Sequence, residues 1–484
     1  MNYTHVAVLI GYIALMIAVG AWFGRAKATS SGEDFVLAGR SLPAPVIGGT
    51  MLATFVGSGS IIGAANFAFT YGLVPGFLFF SGTITGTILL ILFARRVRGV
   101  ASHTVPELFD KRYGKPVRVA ATVMILIAFV GITAYQFTGA GYIFSLITPL
   151  DEQTGAVVAA LLITFLALSG GLKSVAWTDF LSAILIVFAL WVALFLVVGV
   201  DVGGLSPLAE VNAGAGALGG LSVLQMLGFI LPVLVLLLGD QNMYQRLAAA
   251  KSDGAALWGA VLFCVGSVVM IVPIVLLSVA SAHLQPGIEA DMAVLSLSDG
   301  RFTPAVVGGA LLAGAVALII TTGSSYLLTC SSNVVHDLVG QLRRKKPSDA
   351  ANLWIGRLAV AVVAVLGFVM VSFFPSVLAL QMYAYTMYGV TITPVLLAGL
   401  FWKRANGAGA MSALVVGAAV TLFWEISGRS ADLNSVIVAL PASVAALVLV
   451  SLLTPPGAGR MTPKRPAGRR STKRCRASLR DECT

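Results

Sequence analysis

Charged residues are scarce in this chain of 484 residues, since Asp, Glu, Lys and Arg together make up 11% of it. A soluble domain usually carries about 25% charged residues, so this composition argues against a soluble globular protein. Cysteine occurs four times, with Cys264 and Cys330 in apolar runs and Cys475 and Cys483 in a basic tail. This placement gives no disulfide framework.

Apolar sequence is abundant, and hydrophobic residues make up 58% of the chain. About thirteen apolar runs approach or exceed the ~20 residues that a membrane-spanning helix needs. Because lipid leaves no water for open backbone groups, each run is expected to be helical. The expected fold class is therefore an all-α polytopic membrane protein. The predicted spans are 5–24, 43–72, 75–94, 118–148, 155–170, 175–199, 222–240, 255–282, 303–335, 353–374, 376–400, 408–427 and 434–454.

Basic residues follow a one-sided distribution along these spans. If the N-terminus is extracytoplasmic and the loops alternate, every Lys and Arg except Arg301 and Arg429 lies on the cytoplasmic side. Cytoplasmic loops are enriched in Lys and Arg, so the bias predicts a multi-pass cell-membrane protein with a cytoplasmic C-terminus. The net charge of +11 then comes from these loops and the tail at 455–484, expected to be disordered. The lipid bilayer is the expected partner, and nucleic acid is not.

Two spans contain helix-weakening residues. Gly57, Gly59 and Gly63 crowd the middle of the second span, and Pro232 removes a helical donor from the seventh. The two spans stand five apart, as expected if residues about 43–199 and 222–400 form inverted repeats. Paired interrupted helices in inverted repeats indicate a binding site near the bilayer midplane. The alternative is that Gly59 and Gly63 only allow close helix packing.

Oxygen-bearing side chains are concentrated in the ninth span, at 321–332. A hard cation such as sodium needs several oxygen ligands, and a break in the second span would free the carbonyls of Ala53 and Val56. Thr321 and Thr322 could complete a cage with the Leu318 carbonyl. The alternative is that these hydroxyls bond only to their own helix. Asp179, considered alone, is better explained as an acidic residue near a helix N-terminus.

Four sequence motifs narrow the choice of protein family. They are GluAspPheValLeuAlaGlyArgSerLeuPro at 33–43, GlyGlyLeuLysSerValAlaTrpThrAspPhe at 170–180, AspGlnAsnMetTyrGlnArgLeuAlaAlaAlaLys at 240–251 and PheTrpLysArgAlaAsnGlyAlaGly at 401–409. In this order they resemble the sodium/solute symporter family, whose members carry sugars, proline, choline, iodide, pantothenate or urea. In this family the third motif is the loop after span seven. The resemblance covers everything except the basic tail.

The resemblance implies a LeuT-type core of two inverted five-helix repeats, with sodium as the co-transported ion. It carries the sodium-ligand role to Ala53, Val56, Leu318, Thr321 and Thr322, the residues already singled out. The pair is Thr-Thr where the family often has Ser-Ser or Ser-Thr, but the ligand oxygens are kept. Asp179 matches the family's acidic residue on the intracellular sodium path, which replaces its interpretation as a helix cap.

The solute is not determined by the sequence. The cavity is expected near the second-span break and the facing parts of spans four, seven and eleven. No buried Arg or Lys is expected there, which favours a neutral or cationic solute, although a helix N-terminus can also bind a carboxylate. The candidate solute-binding residues are Phe55, Gly57, Ser58, Ser60, Tyr135, Gln136, Gln225, Gln381 and Tyr385.

Together these patterns predict a secondary active transporter that imports a small organic solute with sodium by alternating access. The alternatives are a proton-coupled transporter, which needs a titratable group in the core, and a transporter-like membrane sensor. No enzymatic activity is expected, because His103, His283 and His336 fall in separate segments without the spacing of a metal site.

Overall fold

The computed structural model describes residues 3–23, 38–100, 104–169, 172–342, 349–374 and 376–456. These residues form helices and short connections, with no β-strand among them beyond one isolated bridge. The predicted disordered tail lies outside the described residues from 457 onward, as do residues 33–37 of the first motif.

The longer helices are numbered in chain order. They are α1 Tyr3–Phe23, α2 Ala44–Phe55, α3 Ala64–Tyr71, α4 Leu73–Phe79, α5 Ser81–Val100, α6 Val105–Tyr113, α7 Lys115–Ile147, α8 Glu152–Ser169, α9 Leu172–Leu196, α10 Val223–Gly239, α11 Gln241–Ala248, α12 Asp253–Leu284, α13 Ala305–Asn333, α14 Asp349–Val371, α15 Val377–Phe401, α16 Gly407–Ile426 and α17 Val436–Leu453. Side-chain caps begin several of them: Ser222, Ser252 and Ser376 accept N–H groups in the first turns of α10, α12 and α15.

The predicted all-α membrane fold is confirmed. Ten segments of the described residues are long and apolar enough to cross a membrane, and a bent helix pair raises this to eleven. Shorter apolar helices at Tyr3–Met16 and Glu152–Leu168 coincide with the first and fifth predicted spans. Each predicted span therefore corresponds to an apolar helix.

The second span is broken at the predicted glycines. Helix α2 ends at Phe55, a π-helix runs over Gly59–Gly63, and α3 continues from Ala64. The two arms are bent by 61° relative to each other. Val56 has φ −90° and ψ 82°, outside the helical region, so the carbonyls just before it lose their intrahelical partners.

The seventh span breaks at a different residue from the one predicted. Helix α10 continues through Pro232 and ends at Gly239, and Asp240 is extended with φ −61° and ψ 116°. Residues 241–248, expected as part of a loop, instead form the buried helix α11. Proline is not a break signal here, because Pro273, Pro394 and Pro441 also lie inside helices, as membrane helices tolerate.

The three most buried spans contain α15, α13 and α7, and each of them contacts the broken second span. Helices α14, α16 and α17 lie at the periphery with much of their apolar surface exposed. The ends of the two broken spans are joined, because Leu42 pairs through its backbone with Ala249 at 3.2 Å and Lys251 at 3.0 Å.

Candidate functional site

The break in the second span meets α13 at one buried hydrogen bond. The Ala53 carbonyl would normally accept the N–H of Gly57, but the helix has ended there. Instead the Thr322 hydroxyl donates to Ala53 O at 2.9 Å, although the two residues are 269 positions apart in sequence. Both residues are nearly fully buried. These two oxygens are therefore close enough to bind one cation once the hydroxyl turns its proton away.

The other predicted sodium ligands lie at the same junction. Val56 is the first residue beyond α2, and its amide donates to Leu52 O at 2.8 Å. One turn apart on α13, the Thr321 hydroxyl donates to Leu318 O at 3.2 Å. The arrangement supplies carbonyl and hydroxyl oxygens, which are the ligands that hard cations take. Thr321 is also bonded within its own helix, as the alternative interpretation expected, but Thr322 is bonded across to α2.

Asp179 is fully buried in α9 and belongs to a polar cluster beside this junction. Thr50 of α2 donates to its Oδ2 at 2.6 Å, and Arg246 Nη2 of α11 lies 3.7 Å from the same oxygen. Arg246 Nε also donates to Thr50 Oγ1 at 3.1 Å. Asp179 is seven residues inside α9, so the helix-cap interpretation is wrong.

A polar stripe on α13 continues from this cluster along α11. Ser325, Thr329 and Asn333 recur every four residues and therefore share one helix face. Arg246 Nη2 donates to Ser325 Oγ at 3.3 Å, and Thr329 donates to Asn242 Oδ1 at 2.8 Å. Further along, Gln241 Nε2 donates to Asn333 Oδ1 at 2.9 Å. The hydroxyl run predicted from sequence is thus covered by α11.

On the other side of the break, the side chain of Gln136 in α7 packs against Gly57. A Cβ atom at Gly57 would lie 2.8 Å from the Gln136 amide, so a side chain there would force this amide to move. Gln136 Oε1 accepts from Ser58 N at 3.0 Å and Ser58 Oγ at 2.8 Å. Its Nε2 is buried with no hydrogen-bond partner among the described residues.

Gln381 of α15 packs against the glycines of the π-helix, as Gln136 packs against Gly57. A Cβ atom at Gly59 would lie 2.9 Å from its Cδ, and one at Gly63 would contact its Oε1. That Oε1 is buried with no partner among the described residues. Gly59 and Gly63 therefore do allow close helix packing, which was the alternative interpretation of these glycines. The span is nevertheless also broken.

Hydroxyl and aromatic groups complete this region. The Tyr135 hydroxyl donates to the Tyr385 hydroxyl at 3.4 Å. Ser60 Oγ donates to Phe55 O at 3.4 Å, while the Phe55 ring meets Phe263 edge-on with centroids 5.9 Å apart. All these side chains are buried, so the site is closed to solvent.

Gln225 is the candidate solute-binding residue that the structure does not bring to this region. It forms a capping box with Ser222 at the start of α10 and donates to Asp432 O at 3.0 Å. At 1.5 Å per residue, the remaining helix puts it about 20 Å from the break at Asp240. Its hydrogen bonds are those of a helix cap.

Sequence reasoning missed Asp240, Tyr326 and Asn242, which help to hold the break in the seventh span. Tyr326 donates to Asp240 Oδ2 at 2.8 Å, and Asn242 N donates to Asp240 Oδ1 at 2.9 Å. Tyr388 spans the gap by donating to Gly239 O at 2.8 Å and accepting from Gln241 N at 3.1 Å. The signal was the third motif, in which Asp240 and Arg246 were assigned to a loop but are buried at the break and in α11.

Known proteins match most of the length of this chain. A family model described as the Sodium:solute symporter family matches residues 35–417. The osmoregulated proline transporter OpuE of Bacillus subtilis (strain 168) is 29% identical over 92% of this chain and 93% of that protein. High-affinity choline transporter 1 of Drosophila melanogaster is 27% identical over 87% of this chain and 71% of that protein.

Solved structures support the fold. A sodium-coupled sialic acid symporter in a substrate-bound outward-open state has a TM-score of 0.78 at 20% identity, covering 94% of this chain and 98% of that one. The inward-facing conformation of Mhp1 has a TM-score of 0.57 at 13% identity, covering 86% of this chain and 92% of that one. At these identities the likeness concerns the fold alone, which is the LeuT type expected from the sequence.

Proposed function

This chain belongs to the sodium:solute symporter family, and we propose that its solute is a small zwitterionic amino acid, with proline the first candidate. As a member of the family it is a secondary transporter that imports a solute coupled to sodium, and sodium is co-transported. Proton coupling, the transport alternative, is not needed to explain the site. The homologues are transporters, and no enzymatic activity is proposed.

The main support for this solute class is that two side-chain amide atoms at the break have no hydrogen-bond partner among the described residues. Gln136 Nε2 is a free donor and Gln381 Oε1 a free acceptor, and both are buried against glycines of the second span. A buried polar atom without a partner is costly, so the pair favours a ligand that offers an acceptor and a donor. A zwitterionic amino acid offers a carboxylate to Gln136 and an ammonium to Gln381.

Two relatives support this class and one supports a rival. OpuE and the high-affinity proline transporter PutP of Bacillus subtilis (strain 168), at 29% and 28% identity, are proline transporters. The rival is a quaternary ammonium solute, suggested by the choline transporter and by the rings of Phe55, Tyr135 and Tyr385. The ammonium group of such a solute carries no N–H donor, so it could pair with Gln381 Oε1 only through another group, such as the hydroxyl of choline.

Sodium is proposed to bind between α2 and α13, held by the carbonyls of Ala53, Val56 and Leu318 and the hydroxyls of Thr321 and Thr322. Because Ala53 belongs to one arm of the broken span, an ion here would fix the position of that arm. The solute site begins at the next turn, so sodium would preorganise it. Such coupling is reciprocal: solute binding must tighten sodium binding by the same factor.

Sodium release is proposed to pass Asp179. The carboxylate accepts a hydrogen bond from Thr50, which lies one turn from Ala53 on α2, so an ion leaving the cage on this side passes it. Arg246 pairs with Asp179, and α11 covers the polar stripe beyond. Release therefore requires α11 to move away from α13. The membrane potential contributes about 2.3 kcal/mol per charge per 100 mV to inward movement of sodium.

Ligand-dependent stability tests the proposed solute. Purified protein is heated with proline, choline or urea, in sodium and in potassium. A ligand at 100 times its Kd stabilises the folded state by about 2.7 kcal/mol, so proline is expected to raise the melting temperature in sodium only. Stabilisation by choline and not proline would favour the rival class.

Two glutamine variants, one in the proposed site and one outside it, test where proline binds. Gln381→Leu is expected to weaken proline binding at least about tenfold, because a hydrogen bond to a charged group is lost in a buried site. Gln225→Leu is the control, since Gln225 caps α10. It should lower stability modestly and leave the proline Kd unchanged. Equal losses of affinity in both variants would contradict the site.

The chain is proposed to lie in the cell membrane with its N-terminus outside and its C-terminus in the cytoplasm. The support is the sorting of all Lys and Arg except Arg301 and Arg429 to one side. A fluorescent protein fused to the C-terminus should fluoresce, and a periplasmic phosphatase fused there should be inactive. The opposite pattern would reverse the assignment.

A further inference from the structure

A buried carboxylate lies at the end of the bundle where α12 connects to α13. Asp291 belongs to a short 3₁₀ turn, Ala290–Met292, in that connection and is 1% exposed. Aspartate is almost never fully buried in a connecting segment unless it is paired. Here its partners come from three separate helices.

Both carboxylate oxygens of Asp291 accept hydrogen bonds. Oδ1 accepts from Asn66 Nδ2 of α3 at 2.8 Å. Oδ2 accepts from the backbone N of Val377, the first residue of α15, at 3.0 Å and from the Tyr142 hydroxyl of α7 at 3.3 Å. The Tyr142 hydroxyl also lies 3.2 Å from Glu289 of the same connection.

The buried charge of Asp291 depends on all of these hydrogen-bond donors being in place. Burial raises the pKa of Asp291 above the usual aspartate value, while the bonds from Val377 and Asn66 oppose that rise. A buried charge is tolerated only while its partners are in place, and losing one partner leaves an uncompensated charge. The carboxylate is therefore stable either with all its donors assembled or exposed to water.

The three helices joined at Asp291 are those that surround the solute site. Helix α3 continues directly from the π-helix, α7 carries Gln136, and α15 carries Gln381 within two turns of Val377. We propose that Asp291 is the positioning residue that closes this end of the solute site, by holding the outer arm of the broken span against α7 and α15. This inference rests on the transport function of the family and not on the identity of the solute.

Thiol labelling tests the proposal without any solute. Leu378 lies one residue beyond Val377, with its Cα 3.5 Å from where a Cβ at Gly63 would be. Leu378→Cys is introduced into a chain without its native cysteines, and a charged thiol reagent is applied to protein in detergent, where orientation does not matter. The labelling rate then reports how often this end opens. The native cysteines replaced are Cys264, Cys330, Cys475 and Cys483.

Asp291→Asn is expected to speed labelling about tenfold or more, because hydrogen bonds to a charged group are lost from the closed state. Asn66→Asp should do the same by opposing two carboxylates. Combining the two substitutions restores an amide–carboxylate pair with exchanged positions and should recover part of the slow rate. Independent effects of the two substitutions would give no such recovery.

The control is Asp299→Asn, since Asp299 is an exposed carboxylate in the same connection. It should label at the parent rate. Parent-rate labelling in both Asp291→Asn and Asn66→Asp would overturn the proposal, as would equally fast labelling in Asp299→Asn. If Asp291→Asn does not fold, Asn66→Asp and the combined variant still decide between the outcomes.

Discussion

Replacing Thr322 with alanine is expected to abolish sodium-dependent uptake while leaving the amount of protein in the membrane unchanged. The Thr322 hydroxyl joins α13 to the Ala53 carbonyl, so its loss removes a cage oxygen and leaves a buried carbonyl without its donor. Sodium affinity should fall at least about tenfold, which corresponds to about 1.4 kcal/mol. The sodium dependence of solute uptake in proteoliposomes measures this effect.

Two further substitutions separate the hydroxyl's role from general helix stability. Thr322→Ser keeps the oxygen and should retain sodium-dependent uptake. Ser267→Ala removes a buried hydroxyl of α12 that donates to Phe263 O of its own helix at 2.8 Å. It should leave sodium affinity unchanged. A Thr322→Ala protein with the parent's sodium affinity would remove Thr322 from the cage.

The break in the second span could be predicted because its cause is local. Three glycines within seven residues weaken a helix wherever it lies, and the structure ends α2 just before Gly57. The amides of Gln136 and Gln381 could not be assigned to those glycines from sequence. Their approach depends on helices that begin 58 or more residues further along the chain, which no local pattern reports.

The sodium cage was anticipated from a cluster of hydroxyls and from the family resemblance, and its assignment to sodium stays a proposal. The contact between Ala53 and Thr322 now gives that assignment a geometry. Asp179 shows the limit of local reasoning. Alone it is explained as a helix cap, but in the structure it is a buried partner of Thr50 and Arg246.

The seventh span was misjudged for a physical reason. Hydrophobicity falls at Asp240 and again at Arg246, which made residues 240–251 resemble a cytoplasmic loop. Both charges are instead buried, because Tyr326 bonds Asp240 and the Asp179 cluster bonds Arg246. Such pairing links residues 67 or more positions apart and hides their charge from lipid. Arg246 is therefore a buried cation on the α11 side of the break, which the hydropathy pattern did not predict.

Replacing Arg246 with methionine is expected to destabilise the protein by about 3–5 kcal/mol, because it leaves Asp179 as a buried charge without its cationic partner. Arg246 is 1% exposed, so water cannot compensate for the loss. Denaturant unfolding of the purified protein measures the change. Adding Asp179→Asn to Arg246→Met should recover a large part of it, since the uncompensated charge is then gone.

The pairing of Asp179 with Arg246 also predicts a change in transport rate that a loss of folding stability would not explain. Asp179→Asn should slow turnover more than it weakens sodium or solute binding, because the cage oxygens of Ala53 and Thr322 remain while the next anionic partner on the release path is lost. Single-turnover uptake and equilibrium binding separate the two quantities. Normal turnover in Asp179→Asn would restrict Asp179 to holding Arg246 and α11 in place. Slowed turnover with intact binding would mean that the buried pair controls when sodium leaves, because the ion can displace Arg246 from Asp179 only as α11 moves away.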